Sequence, residues 1–109
     1  MRKCFIFRDY ENNIFYPLHV SIDRNAGKIL VNTDDIENIL CLSDEDMRKL
    51  AADYNGRTGI DALLRLLKSK PELQRHPFKD WFELQILPRI IDEFNSFTII
   101  DAAEEIRGY

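Results

Sequence analysis

The spacing of apolar residues changes along this chain, and that change limits the folds open to it. Residues 60–67 place isoleucine and leucine three or four positions apart, which is typical of an amphipathic helix of about three turns. Earlier in the chain the period is two, as in a half-buried strand, with apolar side chains at Ile14, Tyr16, Leu18, Val20 and Ile22. Strands followed by helices predict an α+β fold, in which an N-terminal antiparallel β-hairpin or small sheet packs on a four- to five-helix cluster.

Two shorter segments complete the predicted sheet. Residues 4–8 form a short strand candidate, and residues 28–31 form a returning strand after a turn at residues 23–27. Pro17 lies inside the alternating strand and has no N–H to donate to a neighbouring strand. We therefore expect the alternating strand to lie at an edge of the sheet or to carry a bulge.

Helix start signals follow the predicted sheet. Asn32 or Thr33, and then Ser43, are N-cap candidates, and each is followed by carboxylates that suit the positive end of a helix dipole. Pro71 and Pro77 each suit the first turn of a further helix.

The most apolar segment begins after Pro77 and runs from residue 78 to residue 94. We expect it to form the central helix of the domain and to be kinked or ended by Pro88. A last short strand is predicted at residues 97–100, and Asp101 with Glu104 resembles a capping box for a terminal helix.

The composition indicates one domain spanning residues 1–109, because 45% of the 109 residues are apolar. No run approaches the ~20 apolar residues of a membrane span. The apolar run near the N-terminus is also too short for a signal peptide. We expect a soluble, cytoplasmic protein without membrane contact, whose Cys4 and Cys41 are reduced and partly buried.

The sequence contains no arrangement of residues that is typical of catalysis. His19 and His76 have no cysteine or histidine at metal-ligand spacing. A cysteine–histidine pair that meets only in the folded chain stays open. Residues 54–59 are too short for a phosphate-binding loop, and we interpret them as a surface loop with Arg57 exposed near its tip. We therefore expect a protein that is not an enzyme and has no cofactor or metal.

Charge is spread unevenly along the chain, which has a net charge of −4. Residues 56–89 carry seven basic and four acidic side chains, and they lie between acidic segments at residues 32–55 and 90–109. The helix dipole explains much of the first acidic segment, since its carboxylates follow the N-cap candidates. The basic segment indicates either a binding surface or a solvated helix face, and the two explain its charge equally well.

A series of short motifs resembles a known family. ALLRLLKSKPE at residues 62–72 is followed by FKDW at residues 78–81 and ILPRI at residues 86–90. Their order and spacing are similar to the second half of the BRO-N domain of phage antirepressors and baculovirus BRO proteins. VNTDDI at residues 31–36 and ILCL at residues 39–42 resemble its first half more loosely. The resemblance spans roughly residues 4–92, and we expect Phe78, Trp81 and Leu87 to be core residues that define its fold.

Two departures from the family pattern add negative charge. Residues 43–46 read SDED where the family often carries polar and basic residues. Residues 91–94 read IDEF in place of a glycine-rich segment that contains tyrosine. Both departures bear on the family's DNA binding more than on its fold.

The resemblance implies a DNA-binding transcriptional regulator of the phage or mobile-element type. Lysine and arginine side chains on one surface contact phosphates and position such a domain. The predicted contact residues are Arg57, Arg65, Lys68, Lys70, Arg75 and Lys79, with Arg48 and Lys49 as outliers.

The net acidity favours an alternative, an antirepressor or inhibitor that binds a regulatory or nucleic-acid-binding protein instead of DNA. Its acidic blocks, residues 34–53 and 92–105, suit the basic surface of such a partner. A third hypothesis is a homodimer in which the edge strand at residues 14–22 pairs with a second copy.

Overall fold

The computed structural model describes residues 2–23, 27–50 and 56–93. These residues form a four-stranded antiparallel sheet and a set of helices, which confirms the predicted α+β class. Residues 24–26 of the predicted turn, the strand at residues 97–100 and the capping box of Asp101 and Glu104 lie outside the described residues. The sheet order is β1-β2-β3-β4, and the strands are β1 (Arg2–Asp9), β2 (Ile14–Asp23), β3 (Lys28–Asn32) and β4 (Arg57–Gly59).

Strand β2 is an edge strand over only part of its length. It pairs with β1 from Ile14 to Ser21, whereas β3 covers it from Val20 to Asp23. The prediction of an edge strand is therefore wrong for the last four residues of β2, although Pro17 does lie beyond the end of β3. There the backbone N–H of His19 donates to Oδ2 of Asp35 at 2.8 Å. Because Pro17 has no N–H and that of His19 is occupied, this segment is poorly suited to pairing with a second copy.

Strand β4 corrects the prediction of a loop at residues 54–59. Residues 57–59 pair antiparallel with β3, with Arg57 opposite Asn32 and Thr58 opposite Val31. Thr58 is buried, and its hydroxyl donates to the carbonyl oxygen of Leu50. A strand of three residues that follows Gly56 and ends in Gly59 is too short for a period-two pattern, so the sequence indicated a loop.

The helices begin where the capping residues predict. They are α1 (Thr33–Leu40), α2 (Asp44–Lys49), α3 (Ile60–Ser69), α4 (Pro71–Arg75) and α5 (Pro77–Asp80). Oδ1 of Asn32 accepts the N–H of Asp35 at 3.0 Å, and Oγ of Ser43 accepts the N–H of Asp46 at 3.3 Å. Each side chain thus satisfies one of the donors that a helix start leaves unpaired.

Helix α5 continues without a break through a π-helical segment (Trp81–Ile86) into α-helical residues 87–93. We call residues 77–93 the long helix. The helix passes through Pro88, so of the two predicted effects an end of the helix is wrong, and a kink stays a prediction. The π-helical turn lies directly before Pro88, and the N–H of Leu87 bonds to the carbonyl oxygen of Phe82. A proline lacks the donor for an α-helical bond, and a widened turn is one way to accommodate it.

The core lies between the long helix, the other helices and one face of the sheet. Phe7 of β1 meets the rings of Phe78 and Trp81, with centroid distances of 5.7 and 5.2 Å. Phe82 stacks on Phe78 with centroids 5.5 Å apart. Phe78 is fully buried, while Trp81 and Leu87 pack against the core in part, so the prediction that these three residues belong to the core is confirmed.

Candidate functional site

The predicted contact residues on the second half of the chain lie in different environments. Arg57 is not exposed at a loop tip, as the sequence suggested, because it belongs to β4. It is partly buried, and its Nη1 donates to Oγ of Ser21 at 3.2 Å. The side chain is therefore fixed against the face of the sheet.

Two of the predicted lysines form ion pairs with nearby carboxylates. Nζ of Lys70 lies 2.8 Å from Oδ2 of Asp46, a carboxylate that is only 4% exposed. This hydrogen bond raises the pKa of Lys70 and lowers the pKa of Asp46. Nζ of Lys79 lies 3.1 Å from Oε2 of Glu83, one helical turn along. Both lysines are thus partly neutralised within the domain.

Three predicted residues remain exposed on helices α3 and α4, namely Arg65, Lys68 and Arg75. Among the described residues, none of the three forms a side-chain hydrogen bond or ion pair. Nε2 of Gln74 donates to the backbone carbonyl oxygen of Lys68 at 2.8 Å, which holds α4 against the end of α3. We call these three side chains the helical basic surface.

The two outliers, Arg48 and Lys49, lie in the last turn of α2 and are exposed. Nζ of Lys49 approaches Oδ1 of Asp46 at 3.9 Å. A basic residue in a last helical turn is favoured by the helix dipole, so both positions have a structural explanation.

A second basic surface lies on the sheet. The register sets Arg2 opposite Ser21, Cys4 opposite His19 and Arg8 opposite Phe15. Since side chains alternate between the two faces of a strand, these residues share the face away from Phe7 and the helices. We call it the open face, and its side chains in β1 and β2 are Arg2, Cys4, Ile6, Arg8, Phe15, Pro17, His19 and Ser21.

A cleft of about 650 Å³ lies at one end of the open face. Arginine and histidine supply three of its eight lining residues, since the side chain of Lys3 points to the helix side of β1, and no carboxylate is among the described lining residues. The residues that line this basic cleft are Arg2, Lys3, Cys4, His19, Val20, Ser21, Asn32 and Arg57. Concentrated positive charge in a concave surface favours an anionic ligand.

Neighbouring groups orient the side chains of the basic cleft. Nδ1 of His19 lies 2.8 Å from Oδ2 of Asp35, so this nitrogen carries a proton and Nε2 is the ring atom left for a ligand. Nζ of Lys3 donates to Oε1 of Glu93 on the long helix. Arg2 forms no ion pair or side-chain hydrogen bond among the described residues. Its guanidinium is the group in the cleft best placed to accept a new anionic partner.

An aromatic group lies at the other end of the open face. The guanidinium of Arg8 lies over the ring of Tyr10, 4.7 Å from its centroid, and over the ring of Phe15 at 5.2 Å. Nη2 of Arg8 also donates to Oδ1 of Asn13 at 3.2 Å. Phe15 is 58% exposed and Ile6 beside it is exposed as well. A planar cation held between two rings and an exposed ring are both suited to stacking.

The sequence prediction missed the basic residues of the first strand pair. A signal was present, because residues 1–9 alternate between Arg2, Cys4, Ile6 and Arg8 on one side and aromatic Phe5 and Phe7 on the other.

The cysteines correct another expectation. Cys4 and Cys41 are both free thiols, but both are exposed and not partly buried. Cys4 faces the basic cleft from β1.

Comparisons of the chain with family models, with curated proteins and with solved structures give no match. Across the described residues, no group of three or more histidine, cysteine or acidic side chains is placed to hold a metal ion. In the same part of the chain, every helix is too short or too polar to cross a bilayer.

Proposed function

We propose that the protein is a nucleic-acid-binding regulator that contacts phosphates through the basic cleft. The observation that carries the proposal is the lining of that cleft, in which Arg2 and Arg57 meet beside His19 without a carboxylate among the described lining residues. The resemblance to BRO-N domains supports the same class of function, transcriptional control through DNA. That the protein is not an enzyme stays a prediction.

The net charge of −4 makes the location of the contact important. An acidic protein is repelled by nucleic acid over most of its surface, so binding requires a local basic region. The basic cleft and the helical basic surface are the two candidates. The cleft is favoured because it is concave, because a hydrogen bond to Ser21 holds Arg57 in place, and because Arg2 has no ion-pair partner among the described residues.

The test is a titration of labelled single-stranded and duplex DNA with the full chain at several salt concentrations, followed by fluorescence anisotropy. Phosphate contacts of Arg2 and Arg57 predict a slope of log K against log [salt] of about −2 for duplex DNA. The variant Arg2→Gln with Arg57→Gln is expected to reduce the magnitude of that slope by about 2 for duplex and somewhat less for single strands.

The matched control is Arg65→Gln with Lys68→Gln, which removes the same charge from the helical basic surface. It is expected to leave the slope unchanged. If only the control variant changes the slope, the phosphate contact lies on α3 and not in the basic cleft. Absence of binding to either DNA at low salt would refute the proposal. Because Arg57 also contacts Ser21, circular dichroism must show that the cleft variant is folded.

The exposed carboxylates of α1 and α2 favour a second candidate function, binding of a regulatory protein. Asp34, Asp44 and Glu45 face solvent in the first turns of these helices. An acidic surface of this kind suits the basic face of a DNA-binding partner. A pull-down with and without nuclease tests it, and a stoichiometric partner that survives nuclease but is lost in Asp44→Asn with Glu45→Gln supports it. Loss of the partner on nuclease treatment contradicts it.

A further inference from the structure

We infer that the ligand of the open face is single-stranded nucleic acid, with a base stacked on Phe15 beside Arg8. The inference rests on the proposed function, since it names the form of nucleic acid that the same face accepts. It concerns the end of the open face that the basic cleft does not include.

The aromatic group is fixed before any ligand arrives. Arg8 lies over both Phe15 and Tyr10, and its hydrogen bond to Asn13 ties it to the β1–β2 turn. Asp9 holds the same turn, because its Oδ1 accepts the backbone N–H groups of Glu11 and Asn12 at 3.0 and 3.2 Å. A ring held in this way loses little freedom when a base stacks on it.

Phe15 is more exposed than its role in the fold explains. It is 58% exposed although it pairs with Arg8 near the start of β2, and it is absent from the core cluster. A single exposed apolar residue needs no explanation, but here the guanidinium of Arg8 covers part of the ring and Ile6 extends the apolar surface toward the cleft. Apolar surface beside fixed cations is the combination that single-strand-binding proteins use.

The spacing along β2 connects the two ends of the open face. Phe15 and His19 point to the same side and are four residues apart, which corresponds to about 13 Å along a strand. The other side chains of the open face in β1 and β2 are two arginines and four apolar or neutral residues, namely Arg2, Arg8, Cys4, Ile6, Pro17 and Ser21. A short stretch of single strand can therefore place a base at Phe15 and a phosphate at Arg2, which lies opposite Ser21 at the cleft end of the face.

A duplex does not fit the same contacts. Its bases are stacked on one another and present only their edges in the grooves, so a ring on an open sheet has no base face to meet. Phosphate contacts alone remain, and these do not depend on Phe15. The side chain at position 15 thus separates the two forms of nucleic acid.

The experiment compares a labelled 12-nucleotide oligothymidine with a 12-base-pair duplex, using the full chain and the variant Phe15→Leu. Leucine keeps an apolar side chain on the strand but has no π face. We expect single-strand affinity to fall by about 5- to 150-fold, the range for loss of one base–aromatic stack, and duplex affinity to stay unchanged. Phe15→Tyr is expected to restore single-strand affinity.

The matched control is Leu84→Ala on the long helix, which alters another large exposed apolar residue and should change neither affinity. Equal losses for single strand and duplex in Phe15→Leu, or no loss at all, would overturn the inference while leaving the proposed function intact. A wild-type chain that binds neither DNA would overturn the proposed function itself. Light scattering that shows a dimer dissociated by Phe15→Leu would identify a second copy as the occupant and would also overturn the inference.

Discussion

The replacement Phe82→Ala tests how the long helix is oriented in the core. Phe82 is 0% exposed and stacks on Phe78. Removing a buried phenylalanine side chain costs about 3–5 kcal/mol, and loss of the ring pair moves the expected cost to the upper half of that range. A chain of this length has a free energy of unfolding of about 5–15 kcal/mol, so the variant retains at best part of its stability.

Urea denaturation followed by circular dichroism measures the change. With an m-value of roughly 2 kcal/mol/M, the midpoint should fall by about 2 M at unchanged slope. Leu84→Ala is the control two residues away, because Leu84 is 73% exposed and its removal should change the free energy of unfolding by less than about 0.5 kcal/mol. A larger loss in Leu84→Ala than in Phe82→Ala would show that the helix faces the core differently.

Three further perturbations address capping and protonation. Ser43→Ala should lower the free energy of unfolding by about 1 kcal/mol in urea denaturation, and Ser43→Asp should largely preserve it, because the side chain accepts the N–H of Asp46. Burial lowers the pKa of His76 below its ordinary 6.5, so the unfolded chain takes up a proton that the folded chain does not, and Tm should fall as the pH drops below about 6.5. His76→Asn keeps an N-cap acceptor for the N–H of Phe78 and should flatten the dependence of Tm on pH below about 6.5. An unchanged dependence would contradict its assignment to His76. Because the pKa of Asp46 is lowered from its ordinary 3.8, the ionised carboxylate stabilises the fold above that pH, and this stabilisation is lost as the pH falls through the lowered pKa. Lys70→Met should therefore weaken the acid dependence of Tm in that range.

The long helix illustrates what the sequence predicts and what it does not. Pro77 predicts where this helix begins, and the apolar composition of residues 78–94 predicts that it is the central helix of the domain. On an ideal α-helix each residue turns by 100°, so positions four apart drift by 40° and apolar residues spread around the wheel. In the π-helical segment each residue turns by less, and Phe78, Phe82, Ile86 and Ile90 stay buried on one side while Leu84 is exposed.

The binding surface is less predictable than the fold, because charge counted along the chain does not say which charges meet. Lys70 and Asp46 are 24 residues apart, and only the packing of α3 near α2 pairs them. Arg2 and Arg57 are more distant still, yet the order of the strands brings both to one cleft. The alternation of β1 was visible in the sequence, but which of its faces the helices leave uncovered was not.

Strand β1 contributes side chains to both the core and the open face, and this limits which sequence changes the protein tolerates. Phe5 and Phe7 point toward the helices, whereas Arg2 and Arg8 point away. Insertion or deletion of one residue near its middle would turn half of the strand over, burying an arginine and exposing a phenylalanine. Substitutions on the open face carry no such penalty. The specificity of this surface can therefore be varied side chain by side chain, but β1 cannot gain or lose a single residue.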